Sequence, residues 1–403
     1  MIIMFHIIIL GSTGSVGKIA LSIVKRYPKN FKIIALVANS NIQLIYRQCI
    51  EFSPKYVMLN DIKSSEILRK ILKDNHCSTE VLFGLDSLEK LSNISSVDYV
   101  ISAITGIAGL IPTISFIRKG RKILLANKES LVSCGKIFFD EVKKYQSQIL
   151  PIDSEINAIF QMLPKEFHTN LGFFDLTKIG IDEITLTGSG GPFLTTPISE
   201  LKSVTPKEAC RHPNWSMGKK ISVDSATMIN KGFEYVETRY CFNIEFDQIN
   251  ILIHPQSIVH SMIHYVDGSI VAKLGIPDMT ASIHYSMFYP FQYNSKIYQK
   301  KLNLKKTQSL TFIEPDYKRY PCLKLAMEVS RSEKQSVITA LNAINEVAVS
   351  AFLSGKIKFT DIFNVNDKIL EKINFQEPNN IEEIIYIDFE SRNIAKRYID
   401  LCN

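Results

Sequence analysis

Several classes of protein are excluded by what this sequence lacks. Its 403 residues include only 18 glycines and 15 prolines, with no internal repeat, which excludes a collagen-like or linker-like chain. None of its seven cysteines forms a Cys-x-x-Cys pair, which argues against a zinc ribbon or a disulfide framework and favours a reducing, cytoplasmic compartment. The net charge of +7 is not gathered into a dense basic stripe, so we expect a small anionic ligand and no nucleic-acid partner.

Two apolar stretches resemble a signal peptide and a membrane span, but other features of each stretch argue against these interpretations. The start, MIIMFHIIIL, has neither a basic region nor a cleavage site, and we interpret it as a buried strand. Residues 99–117 are uncharged but contain Gly106, Gly109 and Pro112, which favours a strand, a turn and the start of a helix. We therefore expect no membrane partner.

The first 150 residues alternate short apolar runs with helical patterns. Seven runs are predicted to be strands: residues 7–10, 32–37, 55–59, 79–83, 99–104, 122–126 and 148–152. Strands separated by helices build a parallel sheet with both faces covered. We predict an α/β protein in which residues 1–152 form a doubly wound, Rossmann-like parallel sheet.

The pattern changes after this region. A helix predicted at 156–162 precedes strands predicted at 183–187, 249–253, 257–266 and 269–274. This order indicates an α+β domain over residues 153–292. Residues 293–316 include the basic run 296–306 and are predicted to be a solvated linker, and the helical period of residues 317–403 predicts a C-terminal helical domain.

A glycine-rich turn, GSTGSVG at residues 11–17, lies between the first strand and a helical pattern. Its glycines allow a tight turn, and the helix N-terminus can bind a pyrophosphate, so the motif predicts a dinucleotide site. A turn without a ligand is the alternative. The second strand ends in Asn39, Ser40 and Asn41, and the lack of a carboxylate there favours NADP over NAD.

Two acidic segments are candidates for a metal site. Asp153 and Glu155 follow the last strand of the predicted sheet, and Glu234 shares a predicted helix face with Asn230 and Lys231. Oxygen ligands without cysteine or histidine suit Mg²⁺ or Mn²⁺. Helix capping is the alternative role for these carboxylates.

Three further motifs each allow two interpretations. The turn TGSGGP at 187–192 is typical of an anion site, or is a turn without a ligand. HPNWSMG at 212–218 contains the only tryptophan, which belongs to the core or to a lid over a ligand. Lys128 and Glu129 follow the sixth strand, where they face the cofactor crevice or form a surface ion pair.

Taken together, these motifs resemble the 1-deoxy-D-xylulose 5-phosphate reductoisomerase family. The resemblance covers nearly the whole chain in order, through GSTGSVG, LLANKES, DSEINAIFQ, TGSGGPF, HPNWSMG, DSATMINKGFE, HPQSIVHSM, YPCLKLAMEV and ALNAINEVA. It implies isomerisation and reduction of this phosphorylated ketose to 2-C-methyl-D-erythritol 4-phosphate, a step of the non-mevalonate isoprenoid pathway. It also implies NADPH, a divalent cation (Mg²⁺, Mn²⁺ or Co²⁺) and a homodimer formed through the central domain.

The resemblance assigns roles to individual residues. It implies that the catalytic residues are Lys128, Asp153, Glu155 and Glu234, of which the three acidic residues bind the metal. The implied substrate-binding residues are Lys128, Ser154, Glu155, Ser189, His212, Ser225, Asn230, Lys231 and Glu234. The implied NADPH-binding residues are Thr13, Gly14, Ser15, Val16, Asn39, Ser40, Asn41, Asn127, Glu129 and Gly218.

Three positions depart from the family pattern. Ile156 stands where the family commonly has histidine, and Thr280 stands where an arginine often follows Asp-Met. The turn at Asn39 and Ser40 lacks the small-then-basic pair often found there. The metal and phosphate sets are complete, so these departures do not change the expected activity.

Two other functional classes are alternatives. A semialdehyde dehydrogenase shares a similar glycine-rich turn but needs an activated cysteine, for which Cys134 and Cys210 are candidates by position. A dinucleotide-binding sensor or a nucleic-acid-binding module would leave the three carboxylates, and a lid formed by residues 212–218, without a role.

Overall fold

The structure, a computed structural model, describes residues 4–215, 217–291, 301–307 and 309–402. It contains two compact units. Unit 1 takes in the described residues of Met1–Asn127, Asp140–Asp153 and Met279–Ile297, and unit 2 those of Lys128–Phe139, Ser154–Asp278 and Tyr298–Asn403. The three predicted domains divide the chain at other points and stay a prediction. Much of the basic run at 296–306 lies outside the described residues.

Unit 1 is built around a seven-stranded parallel sheet. Its strands are β1 (Phe5–Leu10), β2 (Phe31–Ala38), β3 (Tyr56–Leu59), β4 (Glu80–Phe83), β5 (Tyr99–Ser102), β6 (Lys122–Leu125) and β7 (Gln148–Pro151), in the order β4-β3-β2-β1-β5-β6-β7. Each predicted strand is confirmed, with ends shifted by at most two residues. The strand order reverses at β1, which makes the carboxyl ends of β1 and β5 the point where doubly wound sheets bind ligands.

The helices follow the apolar periodicity of the sequence. In chain order they are α1 (Ser15–Arg26), α2 (Ile42–Phe52), α3 (Ile62–Asp74), α4 (Leu85–Ser92), α5 (Leu110–Ile117), α6 (Lys128–Cys134), α7 (Lys136–Lys144), α8 (Ser154–Met162), α9 (Pro206–Ala209), α10 (Lys219–Ala226), α11 (Ile229–Phe242), α12 (Met279–Phe288), α13 (Pro321–Arg331), α14 (Gln335–Leu353), α15 (Asp361–Leu370) and α16 (Ile381–Cys402). The apolar stretch at 99–117 is therefore a strand, a turn and a helix, as predicted.

Unit 2 combines a mixed sheet with a helical C-terminal region. Strands β8 (Ile181–Gly188), β9 (Ile249–Ile253), β10 (Val259–Tyr265) and β11 (Ile270–Leu274) lie in the order β11-β10-β8-β9, and only β8 and β9 pair in parallel. Helix α8 packs on β10. The predicted α/β class, the α+β middle region and the helical C-terminal region are confirmed.

Helix α14 is the central helix of the C-terminal region. It packs against α15, α16 and α6, and Leu341, Ile344, Ala348 and Phe352 are at most 2% exposed. Among the described helices, α14 alone is long and apolar enough to cross a membrane, but 72% of that apolar window is buried inside the protein. Packing in a core explains its apolar composition.

The turn after β1 requires glycine at two positions. Gly11 has a φ of +87°, and a Cβ atom there would lie 2.4 Å from the carbonyl oxygen of Ala103. A Cβ on Gly17 would lie 2.4 Å from the carbonyl oxygen of Gly11. The first and last glycines of the motif thus let the turn, the start of α1 and the segment after β5 pack against one another.

We expect Gly11→Ala to destabilise unit 1 more than Gly84→Ala does. Both glycines have positive φ, at +87° and +83°, but the Cβ position of Gly84 has no atom within 4 Å. Gly84→Ala therefore reports the cost of the positive-φ backbone alone, at roughly 1–3 kcal/mol, and the clash adds roughly 2 kcal/mol at Gly11. Urea unfolding of the two variants measures the difference, and equal midpoints would contradict the close packing of this turn.

Candidate functional site

The glycine-rich turn of unit 1 presents its exposed backbone at the start of α1. Gly14 and Ser15 are exposed, whereas Ser12 is buried. The Ser12 hydroxyl donates to Oε1 of Gln48 (2.8 Å), and Nε2 of Gln48 donates to the Ser12 carbonyl (2.9 Å). This pair, which the sequence analysis missed, holds the turn against α2. The N–H of Gly14 donates to the Gly11 carbonyl (3.0 Å), and the backbone near Thr13, Ser15 and Val16 lies at a helix N-terminus, where a phosphate binds favourably.

The end of β2 carries three exposed polar residues. Oδ1 of Asn41 accepts a hydrogen bond from the N–H of Leu44 (3.1 Å), so Asn41 is the N-cap of α2. Asn39 and Ser40 precede the cap and are exposed. The absence of a carboxylate from this turn, predicted from the sequence, leaves room for a 2′-phosphate.

Asn127 is buried at the end of the β6 segment of unit 1. It is 2% exposed, and its Nδ2 donates to the carbonyl of Gly106 (3.0 Å). A Cβ on Gly109 would lie 2.1 Å from that Nδ2 atom. Asn127 therefore fixes the loop that follows β5 at the ligand-binding edge of the sheet.

Three carboxylates converge where the chain enters α8. Asp153 directly precedes α8, Glu155 lies in the first turn of α8, and Glu234 lies on α11. One ligand atom from each lies within 4.8 Å of the other two. This spacing and the all-oxygen donor set fit a hard divalent cation such as Mg²⁺.

Two lysines share these carboxylates within unit 2. Nζ of Lys128 lies 2.9 Å from Oε1 of Glu234, and Nζ of Lys231 lies 2.9 Å from Oε1 of Glu155 and also binds Oε2 of Glu234. Asn230 donates to Glu234 from the preceding turn of α11. Lys128, Lys231 and Glu234 are at most 5% exposed, so these charges are largely removed from water.

The two lysines keep the Glu155 carboxylate ionised. Burial by itself raises the pKa of Glu155, but the ammonium groups of Lys231 and Lys128 outweigh burial and hold that pKa below its ordinary value. Burial lowers the pKa of Lys231, and the carboxylates of Glu155 and Glu234 more than reverse this. Glu155 therefore presents anionic oxygens, as a cation site requires, with the ammonium group of Lys231 beside it.

The turn after β8 packs tightly against α10 and α11. A Cβ on Gly188 would lie 3.1 Å from Cε of Lys231, and a Cβ on Gly191 would lie 2.8 Å from the carbonyl oxygen of Ser225. Ser189 lies in this turn, and Asn230 adjoins Lys231 on α11. The four residues predicted to bind phosphate, Ser189, Ser225, Asn230 and Lys231, thus lie on segments that touch one another.

His212 orients the hydroxyl of Ser189. Nδ1 of His212 accepts the N–H groups of Asn214 (3.2 Å) and Trp215 (3.0 Å), so the proton of the neutral ring is on Nε2, which lies 3.0 Å from Oγ of Ser189. Ser189 Oγ also accepts the N–H of Gly191 (3.1 Å). With two hydrogen bonds accepted, the hydroxyl can turn its own hydrogen toward an anion.

The loop that begins at His212 is anchored to another motif. Nδ2 of Asn214 donates to the carbonyl of Pro255 (2.7 Å) and to Oγ of Ser257 (2.8 Å). The Trp215 and His260 rings lie 6.3 Å apart between centroids. Ser216 lies outside the described residues, and Gly218 is the N-cap of α10. This segment thus carries the lone tryptophan near the ring of His260, outside the apolar core clusters; closure over a ligand stays a prediction.

Other contacts around the cluster gave no signal in the sequence. Oγ of Ser261 donates to the carbonyl of Glu155 (3.0 Å), and Ser154 donates to the Glu155 carboxylate. Glu129, predicted to contact NADPH, pairs with Lys220 at 2.7 Å. Ile156, at the position where the family commonly has histidine, is fully buried on α8.

The cysteines do not support the dehydrogenase alternative. Cys134 is fully buried, and burial raises the pKa of its thiol, which makes it a poor nucleophile. Cys210 is partly exposed and its thiol lies 3.9 Å from the carbonyl of Lys219, outside the carboxylate cluster.

Comparison with known proteins gives one consistent result. Models of 1-deoxy-D-xylulose 5-phosphate reductoisomerase match residues 7–135, and models of the C-terminal domains of the same enzyme match residues 149–242 and 274–394. A crystal structure of DOX-P reductoisomerase in complex with NADPH, fosmidomycin and magnesium is 39% identical, covers 99% of this chain and 99% of that chain, and has a TM-score of 0.93.

Two further structures agree. A DOX-P reductoisomerase in complex with magnesium is 37% identical over 99% of both chains, with a TM-score of 0.90. The 1-deoxy-D-xylulose 5-phosphate reductoisomerase from Zymomonas mobilis in complex with NADPH is 37% identical, covers 98% of this chain and 99% of that chain, and has a TM-score of 0.87. The chain therefore belongs to the 1-deoxy-D-xylulose 5-phosphate reductoisomerase family and is an NADP-dependent oxidoreductase of isoprenoid biosynthesis.

Proposed function

We propose that Asp153, Glu155 and Glu234 hold the divalent cation for the conversion of 1-deoxy-D-xylulose 5-phosphate to 2-C-methyl-D-erythritol 4-phosphate. The observation that carries this assignment is the convergence of their ligand atoms within 4.8 Å. The all-oxygen set suits Mg²⁺, with Mn²⁺ or Co²⁺ as alternatives. When bound, the cation supplies Lewis-acid polarisation of the substrate carbonyl and its neighbouring hydroxyl.

Lys128 supplies positive charge beside the reacting oxygens. Its ammonium lies 2.9 Å from Glu234 in a site where Lys128 is only 5% exposed, so water screens it little. A preorganised ammonium in such a site stabilises negative charge that develops on substrate oxygens during the rearrangement. Ser154 and Glu155 lie at the start of α8 and complete the contacts to the carbon chain of the substrate and its hydroxyl groups.

The substrate phosphate is bound by Ser189, Ser225, Asn230 and Lys231. Lys231 directs two of its three ammonium hydrogens to Glu155 and Glu234, which leaves one for a phosphate oxygen. His212 positions Ser189 through the hydrogen bond to its hydroxyl. Binding energy from the phosphate, remote from the reacting carbons, can align the substrate and favour loop closure.

The residues proposed to bind NADPH are those that the family resemblance implies: Thr13, Gly14, Ser15, Val16, Asn39, Ser40, Asn41, Asn127, Glu129 and Gly218. When bound, NADPH supplies the hydride that reduces the rearranged aldehyde. The turn at Asn39 and Ser40 has no carboxylate to repel a 2′-phosphate, which supports a preference for NADP. Ser12 and Gln48 hold the glycine-rich turn in place for the pyrophosphate.

The protein is proposed to act as a cytoplasmic homodimer without a nucleic-acid or membrane partner. An exposed apolar surface on the β11 edge of the unit 2 sheet supports the dimer: Ile270 and Leu274 share one face of this strand and are 55% and 36% exposed. An exposed apolar edge strand is a common site of pairing between chains. The free, largely buried thiols among the described cysteines suit a reducing compartment.

We expect Glu234→Gln to lower kcat by roughly 100-fold or more, because it removes an anionic metal ligand and the partner of Lys128. NADPH binding should stay within about twofold of wild type, because the cofactor contacts lie elsewhere. The assay follows NADPH oxidation with 1-deoxy-D-xylulose 5-phosphate with and without EDTA. Glu328→Gln, an exposed glutamate on α13, is the matched control. Wild-type kcat in Glu234→Gln at saturating Mg²⁺ would remove Glu234 from the metal site.

We expect the stabilising effect of His212 to weaken as the pH falls. Burial lowers the pKa of His212 from 6.5 to about 4, against the attraction of the Glu155 carboxylate, which acts to raise it. Between pH 6.5 and about 4, His212 binds a proton in the unfolded chain but not in the folded chain. The contribution of His212 to the free energy of unfolding is therefore fully present above pH 6.5 and is lost as the pH falls toward 4.

The test compares urea unfolding of wild type and His212→Asn at pH 7 and pH 5. Other histidines titrate in both proteins and cancel in the difference. The stability advantage of wild type should shrink at pH 5, and an advantage that is independent of pH would contradict a neutral His212.

We expect sedimentation of the wild-type protein at twice the chain mass of 45.8 kDa, and a shift toward the chain mass in Ile270→Asp. A buried charge at the β11 edge would disrupt pairing of two apolar surfaces. Ile67→Asp, at an exposed isoleucine on α3 that is 50% exposed, is the control. A monomeric wild-type protein, or a dimer unaffected by Ile270→Asp, would contradict this interface.

A further inference from the structure

Helix α14 buries a polar stripe that the proposed mechanism does not use. Gln335 is 9% exposed, and Thr339, Asn342 and Asn345 are 0% exposed. Spacings of three and four residues place them on one face of the helix. Burying amide and hydroxyl groups is unfavourable unless they find partners, so the partners of this face indicate what it does.

The first partner is the C-terminal end of α6. Nε2 of Gln335 donates its two hydrogens to the carbonyls of Val132 and Ser133, each at 2.9 Å. Oγ1 of Thr339 lies 2.7 Å from the same Ser133 carbonyl, and Nδ2 of Asn342 donates to Oγ of Ser133 (3.2 Å). The last carbonyls of a helix have no hydrogen-bond donor within that helix, and side chains of α14 supply donors to the carbonyls of α6.

The second partner leads to the N-terminal end of α6. Nδ2 of Asn345 donates to Oδ1 of Asp224 on α10 (2.9 Å). Asp224 pairs with Lys220 (2.9 Å), and Lys220 pairs with Glu129 (2.7 Å), the residue next to Lys128. Both ends of α6 are thus tied, directly or through α10, to one face of α14.

Helix α6 has only seven residues, all of them buried, and Lys128 is the first. A helix this short has little stability of its own, and its position is set by its packing. Hydrogen bonds at both ends fix its register along the axis, which apolar packing alone specifies less sharply.

We infer that the polar face of α14 positions Lys128, with Gln335 and Thr339 as positioning residues for the reaction. The inference rests on the role proposed for Lys128. In this role, the buried amides of the ALNAINEVA segment contribute to catalysis because they help to hold the ammonium group of Lys128 2.9 Å from Glu234.

The first experiment measures α6 without using activity. Gln335→Met keeps the length of the side chain and removes both donors, and Gln376→Met makes the same change at an exposed loop position of unit 2. In hydrogen–deuterium exchange, Gln335→Met should speed exchange in peptides that cover residues 128–135 and leave β8 peptides unchanged. Gln376→Met should change neither. Unchanged exchange at 128–135, or an equal increase across unit 2, would overturn the inference.

The second experiment separates positioning from general stability. In the wild-type background Gln335→Met should lower kcat roughly 10-fold to 100-fold, with the KM for NADPH within about twofold. In a Lys128→Ala background it should lower the residual rate less than about twofold, because the group it positions is gone. An equal loss in both backgrounds would show a structural role and would overturn the inference.

A second pair of variants distinguishes the loss of a positioning hydrogen bond from a general folding defect. Thr339→Val keeps the shape and removes the hydroxyl, and Thr339→Ser retains it, so kcat should fall in the first and recover in the second. Wild-type kcat in Lys128→Ala would instead refute the proposed role of Lys128. Loss in Lys128→Ala combined with wild-type kcat in Gln335→Met and Thr339→Val would refute only the positioning role.

Discussion

The site depends on one electrostatic balance: two buried ammonium groups against three carboxylates. Removing either the ammonium groups or the carboxylates would leave uncompensated charge in a place with little water, which is strongly destabilising. Lys231 pairs with Glu155 and Glu234, and Lys128 pairs with Glu234. These charges lower the pKa of Glu155 and raise the pKa of Lys231, so both groups stay charged. The remaining negative charge is what a divalent cation requires, so the same balance that makes the cluster tolerable also prepares it for a metal.

The surrounding elements serve this balance through backbone contacts. Ser261 holds the Glu155 backbone, and the glycines after β8 let the turn that we propose to bind phosphate approach α10 and α11. Side chains on short, fully packed elements are placed more accurately than side chains on free loops. Here Lys128, Glu155 and Glu234 all lie on helices.

Many of the strands and helices, and some of the site residues, could be predicted because short stretches of sequence determine them. The apolar runs gave the strands of unit 1, and the spacing of Asn230, Lys231 and Glu234 gave one face of α11. The pairing of side chains far apart in sequence has no periodic signal. Lys220 and Glu129 are 91 residues apart, and Gln335 and Val132 are 203 residues apart. Such contacts depend on tertiary packing, which explains why the polar face of α14 was visible in sequence only as part of a motif without a role.

The tautomer of His212 has a consequence for ligand selection. Because Ser189 accepts from Nε2 of His212 and from the N–H of Gly191, its hydroxyl is committed to donating outward. A group that must itself donate a hydrogen at that point, such as an uncharged hydroxyl or a protonated phosphate oxygen, meets a mismatched partner. In the proposed function, this turn would therefore select a phosphate by the number of hydrogens on its oxygens as well as by its charge. It would favour the doubly ionised form of a phosphate monoester, whose second ionisation falls near pH 6.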